Sequence, residues 1–146
     1  MSDLSVPLSQ PLYGASFGQA VSRFFKKYGT FSGRASRSEY WWVYLFTFLI
    51  GIVVVGAVSA FVYSTGTPRT DGSIEYSSAG VAVTLVGVVI ALALVIPQIS
   101  LTVRRLHDAN LSGGLWFLTL IPSVGSLIVF ILMFLPSNAL GSRFDK

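Results

Sequence analysis

The sequence contains no cysteine, and its only histidine is His107. The lack of cysteine excludes disulfides, thiolate metal sites and cysteine nucleophiles. A single histidine also argues against a histidine-rich metal site. We therefore predict no metal and no cofactor, and the sequence contains no complete set of catalytic residues.

Charged residues are also scarce. They make up 11% of the 146 residues, whereas 53% are hydrophobic. A soluble domain usually carries about a quarter charged residues. A chain of this size cannot bury so much apolar surface in its own interior, so lipid must be the solvent for much of it. The net charge of +4 does not indicate nucleic acid, because the basic residues lie beside apolar runs and no base-stacking or groove-reading motif accompanies them.

The N-terminal part lacks the features of a secretory signal, which are a basic start, a short apolar core and a small-residue cleavage site. Residues 1–15 contain two prolines and a glycine and show no apolar period, which predicts a flexible N-terminal tail. Residues 16–28 follow as a predicted amphipathic helix, with Ser16 and Gln19 spaced as a capping box. This helix either lies flat in the membrane interface, its lysines near anionic headgroups, or packs on the protein's own cytoplasmic face.

Three apolar runs without a charged side chain cover about residues 40–63, 79–103 and 115–135. A helix over the first run would be about 36 Å long, which exceeds the roughly 30 Å hydrocarbon core of a bilayer. Pro122 and Gly125 interrupt the third run. We expect one broken helix that still spans the membrane. The alternative is a re-entrant hairpin that returns the C-terminus to the starting side.

These patterns predict an all-α fold. The chain is expected to be a polytopic helical membrane protein with three transmembrane helices, the third broken at Pro122 and Gly125, preceded by the interfacial helix. Residues 16–144 would form a single membrane domain. With three spans, seven basic residues lie on the N-terminal side and three on the other. The positive-inside rule then places the N-terminus in the cytoplasm and the C-terminus outside.

Two charged motifs lie on the same membrane face in this topology. They are residues 33–42 and Arg104–Asp108, and each mixes arginines with one carboxylate. A planar guanidinium binds carboxylate or phosphate in a bidentate manner. We therefore expect either a clasp that fixes how the helices meet, or a basic pocket for a lipid phosphate or another anion. The candidate site residues are Arg34, Arg37, Glu39, Arg104, Arg105, His107 and Asp108.

The clasp requires particular ion pairs. They are predicted as Glu39 with Arg104 or Arg105, and Asp108 with Arg34 or Arg37. His107 stands beside Asp108, but sequence neighbours on a helix point in different directions and form no ready dyad. A polar histidine at a helix end is therefore expected. Aromatic residues near the motifs form a predicted interfacial belt. They are Tyr40, Trp41, Trp42 and Trp116.

The motifs resemble a family of small bacterial inner-membrane proteins called domain of unknown function 805. The resemblance covers roughly residues 17–144, and the string Arg104–Asp108 is quite specific. The residues that carry it are Phe31, Gly33–Arg37, Glu39–Trp41, Arg104–Asp108, Ser112–Gly113, Trp116 and Ile121–Pro122. It implies a bacterial cytoplasmic-membrane protein and brings no established activity. The loop at residues 64–78 is longer than is typical of the family, and the C-terminal ending lacks the usual asparagine and final glycine.

We therefore expect a non-enzymatic integral membrane protein of the bacterial inner membrane. Its cytoplasmic arginine–carboxylate cluster would organise the helices and bind anionic phospholipid or a partner protein. The alternative is a small transporter or channel subunit that forms a homo-oligomer through small-residue stripes. One such stripe is Gly80, Thr84, Gly87 and Ala91. A further alternative is a lipid-modifying enzyme, which needs His107 and Asp108 to converge on a cavity that holds a nucleophile or metal.

Overall fold

The structure of the protein is a computed structural model that describes residues 6–145. This part of the chain is mostly helical. Its elements are α1 (Phe17–Lys26), α2 (Arg37–Thr65), β1 (Thr67–Pro68), β2 (Ile74–Glu75), α3 (Ser78–Asp108), a 3₁₀ helix (Gly113–Leu120), α4 (Val124–Leu132) and a C-terminal 3₁₀ helix (Ala139–Phe144). Residues 6–45 and 96–145 form a first compact unit, and residues 46–95 form a second.

The helices α2 and α3 are long and apolar. They contain 29 and 31 residues, and their most apolar windows have mean hydropathies of 2.6 and 2.8. None of the α2 window and 11% of the α3 window is buried. At about 1.5 Å per residue each helix is longer than the roughly 30 Å hydrocarbon core. Both helices can therefore cross a membrane by length and composition, and the helical class predicted from the sequence is confirmed.

In the second unit, the small-residue stripe of α3 faces α2. A methyl group added at Gly87 would lie 3.1 Å from Val58, and one at Gly80 would lie 3.4 Å from Thr65. These two glycines therefore allow close approach of helices within one chain. The β-strands form a short antiparallel ladder in which Thr67 is paired with Glu75.

In the first unit, α1 begins at its predicted cap. The Ser16 N–H donates to Gln19 Oε1 at 2.8 Å, and the Gln19 N–H donates to Ser16 Oγ at 3.4 Å. The face of α1 that contains Ala20, Arg23 and Phe24 is buried. A face that includes an arginine must supply partners for it, because an unpaired buried charge is costly.

Residues 6–15 differ from the predicted flexible tail. Leu12 and Ala15 are buried, and their N–H groups donate to Glu39 Oε2 and Ser38 Oγ, each at 3.0 Å. The segment is held by backbone hydrogen bonds to polar side chains, and such contacts leave no apolar period in the sequence. Residues 1–5 of the predicted tail lie outside the described residues.

The third apolar run does not form one long helix. Its 3₁₀ helix packs against α4, and the chain reverses between them. Pro122 has no N–H to continue a helix, and Ser123 has a φ of +66°. A Cβ atom at Gly125 would collide with the carbonyl oxygen of Leu118, so only glycine permits this approach. The predicted third transmembrane helix is not confirmed, and the run consists of a 3₁₀ helix and α4 that form a hairpin.

The residues after the hairpin return to the two charged motifs. The Asn138 N–H donates to the carbonyl oxygen of Asp108 at 2.8 Å, and the Gly33 N–H donates to that of Phe144 at 2.8 Å. Gly33 has a φ of +82°, a conformation that favours glycine. The C-terminal tail thus lies beside the beginning of α2 and the end of α3.

Candidate functional site

Glu39 is the hydrogen-bond acceptor at the start of α2. Ser36 caps this helix, because the Glu39 N–H donates to Ser36 Oγ at 3.2 Å and the Ser36 N–H donates to Glu39 Oε2 at 2.9 Å. Leu12 donates to the same carboxylate oxygen. The other oxygen accepts from Arg23 Nε at 2.6 Å. Glu39 is only 2% exposed, so this carboxylate joins the N-terminal segment, α1 and α2.

The partner of Glu39 was not predicted correctly. The sequence indicated Arg104 or Arg105, whereas the structure pairs Glu39 with Arg23 of α1. The guanidinium of Arg23 also donates to the carbonyl oxygen of Gln10 at 2.5 Å. A signal for this role is present, since Ala20, Arg23, Phe24 and Lys27 recur at offsets of three, four and seven residues and so share one helical face.

Asp108 is the second buried acceptor, at the end of α3. Its carboxylate lies 2.6 Å from Arg105 Nη1 and accepts from Tyr13 Oη at 3.0 Å. Ser137 Oγ donates to the same carboxylate, and Arg34 Nη1 lies 3.9 Å away. Of the two predicted partners, Arg34 is therefore near Asp108, but the short ion pair is made by Arg105.

Arg105 also binds the end of the hairpin. Its Nε donates to the carbonyl oxygen of Met133 at 3.3 Å, and its Nη2 donates to that of Leu135. The last carbonyl groups of a helix lack partners within the helix. The guanidinium of Arg105 supplies donors at the end of α4 and so attaches the hairpin to α3.

Arg34 holds the C-terminal tail through Asp145. The pair is bidentate, with Nε and Nη2 donating to the two carboxylate oxygens at 2.7 and 2.6 Å. This hydrogen-bonded carboxylate raises the pKa of Arg34 above its ordinary value. Asp145 was not among the predicted site residues, because a lone acidic residue near a chain end carries no local signal.

His107 and Asp108 point to different partners. The Nδ1 atom of His107 lies 3.1 Å from the carbonyl oxygen of Gly33. Its ring stacks on Phe144 with centroids 4.0 Å apart and planes 4° from parallel. Asp108 instead contacts Arg105 and Tyr13. In residues 6–145 the two side chains share no hydrogen-bond partner, so they do not form the convergent pair that a lipid-modifying enzyme would need.

Lys27 and Arg104 are the incompletely satisfied members of the cluster. They are 2% and 1% exposed. Within the described chain, Lys27 Nζ and Arg104 Nη2 are buried and have no hydrogen-bond partner. Burial, with a smaller contribution from the charge of Arg104, lowers the pKa of Lys27 to about 7. Lys27 was not a predicted site residue, and it shares the buried face of α1 with Arg23.

The remaining predicted residues are placed as follows. Arg37 is exposed and forms no ion pair with the described residues. Tyr40 is buried, and Trp41 packs on Phe134 with ring centroids 4.6 Å apart. Trp42 is 40% exposed, which leaves it available for the predicted aromatic belt.

Metal binding has no candidate in this part of the molecule. Among the described residues, no group of three histidine, aspartate or glutamate side chains is arranged to hold a metal ion. The arrangement suits binding of an anion better, because it presents cations whose donor atoms lack acceptors.

A model of the family described as "Protein of unknown function (DUF805)" matches residues 28–146. Two proteins of Escherichia coli strain K12 are similar to the chain. Inner membrane protein YhaI is 25% identical over 121 residues, which are 83% of this chain and 87% of that protein. Inner membrane protein YhaH is 31% identical over 109 residues, which are 75% and 78% of the two chains. No solved structure matches the chain. The family match begins directly after Lys27, so the cluster combines residues inside and outside it.

Proposed function

The chain belongs to the family described as "Protein of unknown function (DUF805)", and from this premise we propose that it is a non-enzymatic binding module of the bacterial inner membrane. Two similar proteins are named inner membrane proteins. The long helices α2 and α3 present apolar surface that is almost entirely unburied. Lipid contact accounts for that surface, because water would oppose its exposure.

The observation that carries a binding role is the buried charge cluster of the first unit. The Arg23–Glu39 ion pair connects α1 to α2, and hydrogen bonds of the charged side chains connect the N-terminal segment to α2 and the hairpin to α3. Burying charges costs several kcal/mol per ion, roughly, and apolar residues of similar volume often stabilise a fold at least as well. A cluster that keeps unsatisfied cations is therefore better suited to holding an anionic ligand than to a purely structural role.

We place this cluster on the cytoplasmic side. In the proposed topology α2 and α3 cross the bilayer, and the hairpin enters the membrane and returns. Nine of the ten basic residues then lie on the cytoplasmic side, and only Arg69 lies on the other. A topology with three spans would place seven basic residues on the cytoplasmic side and three on the other. The hairpin topology thus satisfies the positive-inside rule more fully.

In this topology α1 lies at the membrane boundary. Its buried face is held to α2 through Arg23, while Phe17 and Phe25 are 43% and 47% exposed. Exposed aromatic side chains beside lysines are typical of a helix that contacts the headgroup region. We propose that the exposed part of α1 contacts lipid while its buried face packs on the protein. This arrangement combines the interfacial helix and the packed helix, the two possibilities that the sequence leaves open.

Introduced cysteines test this topology directly, because the chain has none of its own. Ser22, Thr70 and Ser142 are exposed and can be replaced singly by cysteine. We expect a membrane-impermeant maleimide to label the Thr70→Cys variant in intact cells. The Ser22→Cys and Ser142→Cys variants should react only after the inner membrane is permeabilised.

Three outcomes would contradict the proposal. Labelling of Ser142→Cys in intact cells would show that the third run spans the membrane and that the tail is outside. Labelling of Ser22→Cys in intact cells would place the charge cluster on the periplasmic side. Recovery of the wild-type chain in the soluble fraction without detergent would exclude a membrane protein altogether.

A further inference from the structure

The buried charges of the first unit do not balance. Four basic residues of the described chain are classed as buried, namely Arg23, Lys27, Arg104 and Arg105, against two carboxylates, Glu39 and Asp108. Arg23 and Arg105 are paired with those carboxylates, both at 2.6 Å. The half-buried Arg34 has its own partner, Asp145. Two cations are therefore left in excess, Lys27 and Arg104.

The same two residues hold the unsatisfied nitrogen atoms. Among residues 6–145, Lys27 Nζ and Arg104 Nη2 are the buried basic nitrogens without a hydrogen-bond partner. A buried ammonium or guanidinium without an acceptor is strongly unfavourable. Two independent features, the excess of charge and the missing acceptors, thus coincide at one pair of side chains.

Ser100 contacts both residues of this pair. Its hydroxyl group contacts the carbonyl oxygens of Lys27 at 3.2 Å and Thr30 at 2.6 Å. Its own carbonyl oxygen accepts from Arg104 Nε at 3.3 Å. The backbone of Lys27 therefore lies against the turn of α3 that carries Arg104. The charge of Arg104 acts on Lys27 and lowers its pKa, second only to burial.

We propose that Lys27 and Arg104 form a binding site for one phosphate group, supplied by an anionic phospholipid headgroup or by a free phosphate ester. A phosphate offers several acceptor oxygens on one atom, so a single group can accept from Nζ and from Nη2. The planar guanidinium of Arg104 suits a pair of phosphate oxygens, and the ammonium of Lys27 acts as a compact charge. One phosphodiester adds one negative charge, which offsets half of the excess.

A phosphate explains the site better than a protein carboxylate. Glu39 and Asp145, the carboxylates whose charges act on Lys27, already accept hydrogen bonds from Arg23 and Arg34. Their charges raise the pKa of Lys27, but more weakly than burial and Arg104 lower it. A ligand that brings its own charge and acceptors supplies what these carboxylates do not. This inference deepens the proposed function and rests on it for the cytoplasmic location of the site.

The test uses the full chain purified in an uncharged detergent and phosphate-free buffer. Thermal unfolding is followed by tryptophan fluorescence while phosphatidylglycerol, glycerol 1-phosphate or diacylglycerol is titrated. We expect wild type to be stabilised by phosphatidylglycerol and not by diacylglycerol, which lacks phosphate. Stabilisation by glycerol 1-phosphate as well would identify the headgroup alone as sufficient. A response to phosphatidylglycerol only would assign the site to lipid.

Variants separate this site from general attraction to a basic face. Lys27→Met and Arg104→Gln should each raise the half-saturating phosphatidylglycerol concentration by at least about tenfold, the typical effect of one charge-assisted hydrogen bond. Arg143→Gln removes an exposed cation of the same unit and should leave it within about twofold of wild type. Lys27→Met removes a buried charge and keeps an apolar stem, so it should fold, and gel filtration checks this.

Two results would overturn the site. One is the absence of stabilisation of wild type by any phosphate compound. The other is an equal response of Lys27→Met and wild type. Neither result affects the cysteine labelling, which reports only on topology. Conversely, labelling of Ser22→Cys or Ser142→Cys in intact cells would refute the proposed orientation. If phosphate binding were unchanged, that result would not affect the proposed site.

Discussion

At the residue scale, the ion pairs of the chain fall into two environments with different energetic consequences. Arg23 and Glu39 are 9% and 2% exposed in their side chains, whereas Arg69 and Glu75 are 56% and 57% exposed. Exposed pairs contribute little, because water and salt screen them and two long side chains must be ordered. Removing one member of a buried pair leaves an uncompensated charge in the interior.

Glu39→Gln tests the buried pair. The neutral amide keeps the shape of the side chain but turns one acceptor into a donor, which then faces the N–H groups of Leu12 and Ser36 or the guanidinium of Arg23. We expect a loss of about 3–5 kcal/mol in the free energy of unfolding, measured by denaturation in detergent. Glu75→Gln is the matched control and should change little. Equal effects of the two variants would show that the buried pair is not important.

Lys27 predicts an unusual pH dependence. Its pKa falls from 10.5 to about 7 on folding, because of burial and the charge of Arg104, with Arg23 acting in the same direction and Glu39 and Asp145 opposing. Below about pH 7 both states carry the proton. Between about pH 7 and 10.5 the unfolded chain binds more protons than the folded chain, so stability rises with pH.

Lys27→Met should therefore be more stable than wild type at pH 6, in the absence of phosphate, by a few kcal/mol, roughly. The difference should shrink as the pH approaches 10. Melting temperatures of both proteins at pH 6, 7, 8, 9 and 10 measure it. A constant difference across this range would mean that Lys27 does not change its protonation on folding.

At the element scale, the short segments of the first unit depend on their contacts more than on their own propensity. A 3₁₀ helix longer than three or four residues is uncommon, yet Gly113–Leu120 has eight residues. It persists because α4 packs on it. The rings of Phe130 and Phe134 in turn pack on Trp41 with centroids 5.8 and 4.6 Å away. The hairpin is thus stabilised from two sides.

Gly125→Ala tests the reversal of the third run. The added Cβ would meet the carbonyl oxygen of Leu118, which is backbone and cannot swing away. We expect a loss of about 1–3 kcal/mol or more in stability, the usual cost of forced overpacking. Gly56→Ala is the control, because a Cβ there has open space and should cost nothing. Unchanged thermal unfolding of Gly125→Ala would contradict the hairpin.

At the scale of the whole molecule, the proposed orientation in the membrane follows from the distribution of basic residues and of apolar surface. The cations gather in the first unit, while the loop between α2 and α3 holds a single one, Arg69. The apolar windows of both helices lie between these regions in the sequence. The topology that we propose places the strongly basic first unit on one side of the bilayer and this nearly neutral loop on the other.

Limited trypsin digestion gives a second measure of this orientation. Arg69 is exposed in its loop, so trypsin added to spheroplasts should cut the chain there and nowhere in the first unit. In inverted vesicles the exposed Lys26 and Arg143 should be cut instead, and Arg69 should be protected. The Arg69→Gln variant should resist the enzyme in spheroplasts. Cleavage at Arg143 in spheroplasts would refute the proposed side of the tail.

The sequence by itself determined the features that depend on near neighbours. Hydropathy over a window identifies α2 and α3, because contact with lipid requires an uninterrupted apolar run. Three-residue spacing places the cap of α1 at Ser16, because a capping box joins a residue to its neighbour three positions on. Pro122 and Gly125 mark the break in the third run for the same local reason.

Only the tertiary structure decided which distant groups meet. Arg23, Arg104 and Arg105 are chemically equivalent partners for Glu39, and their selection depends on how α1 and α3 approach α2. The local form of the third run also depends on contacts between separate segments, such as those with Leu118 and Trp41. The same packing pairs Glu39 with Arg23 and Asp108 with Arg105. Lys27 Nζ and Arg104 Nη2 are therefore left without acceptors.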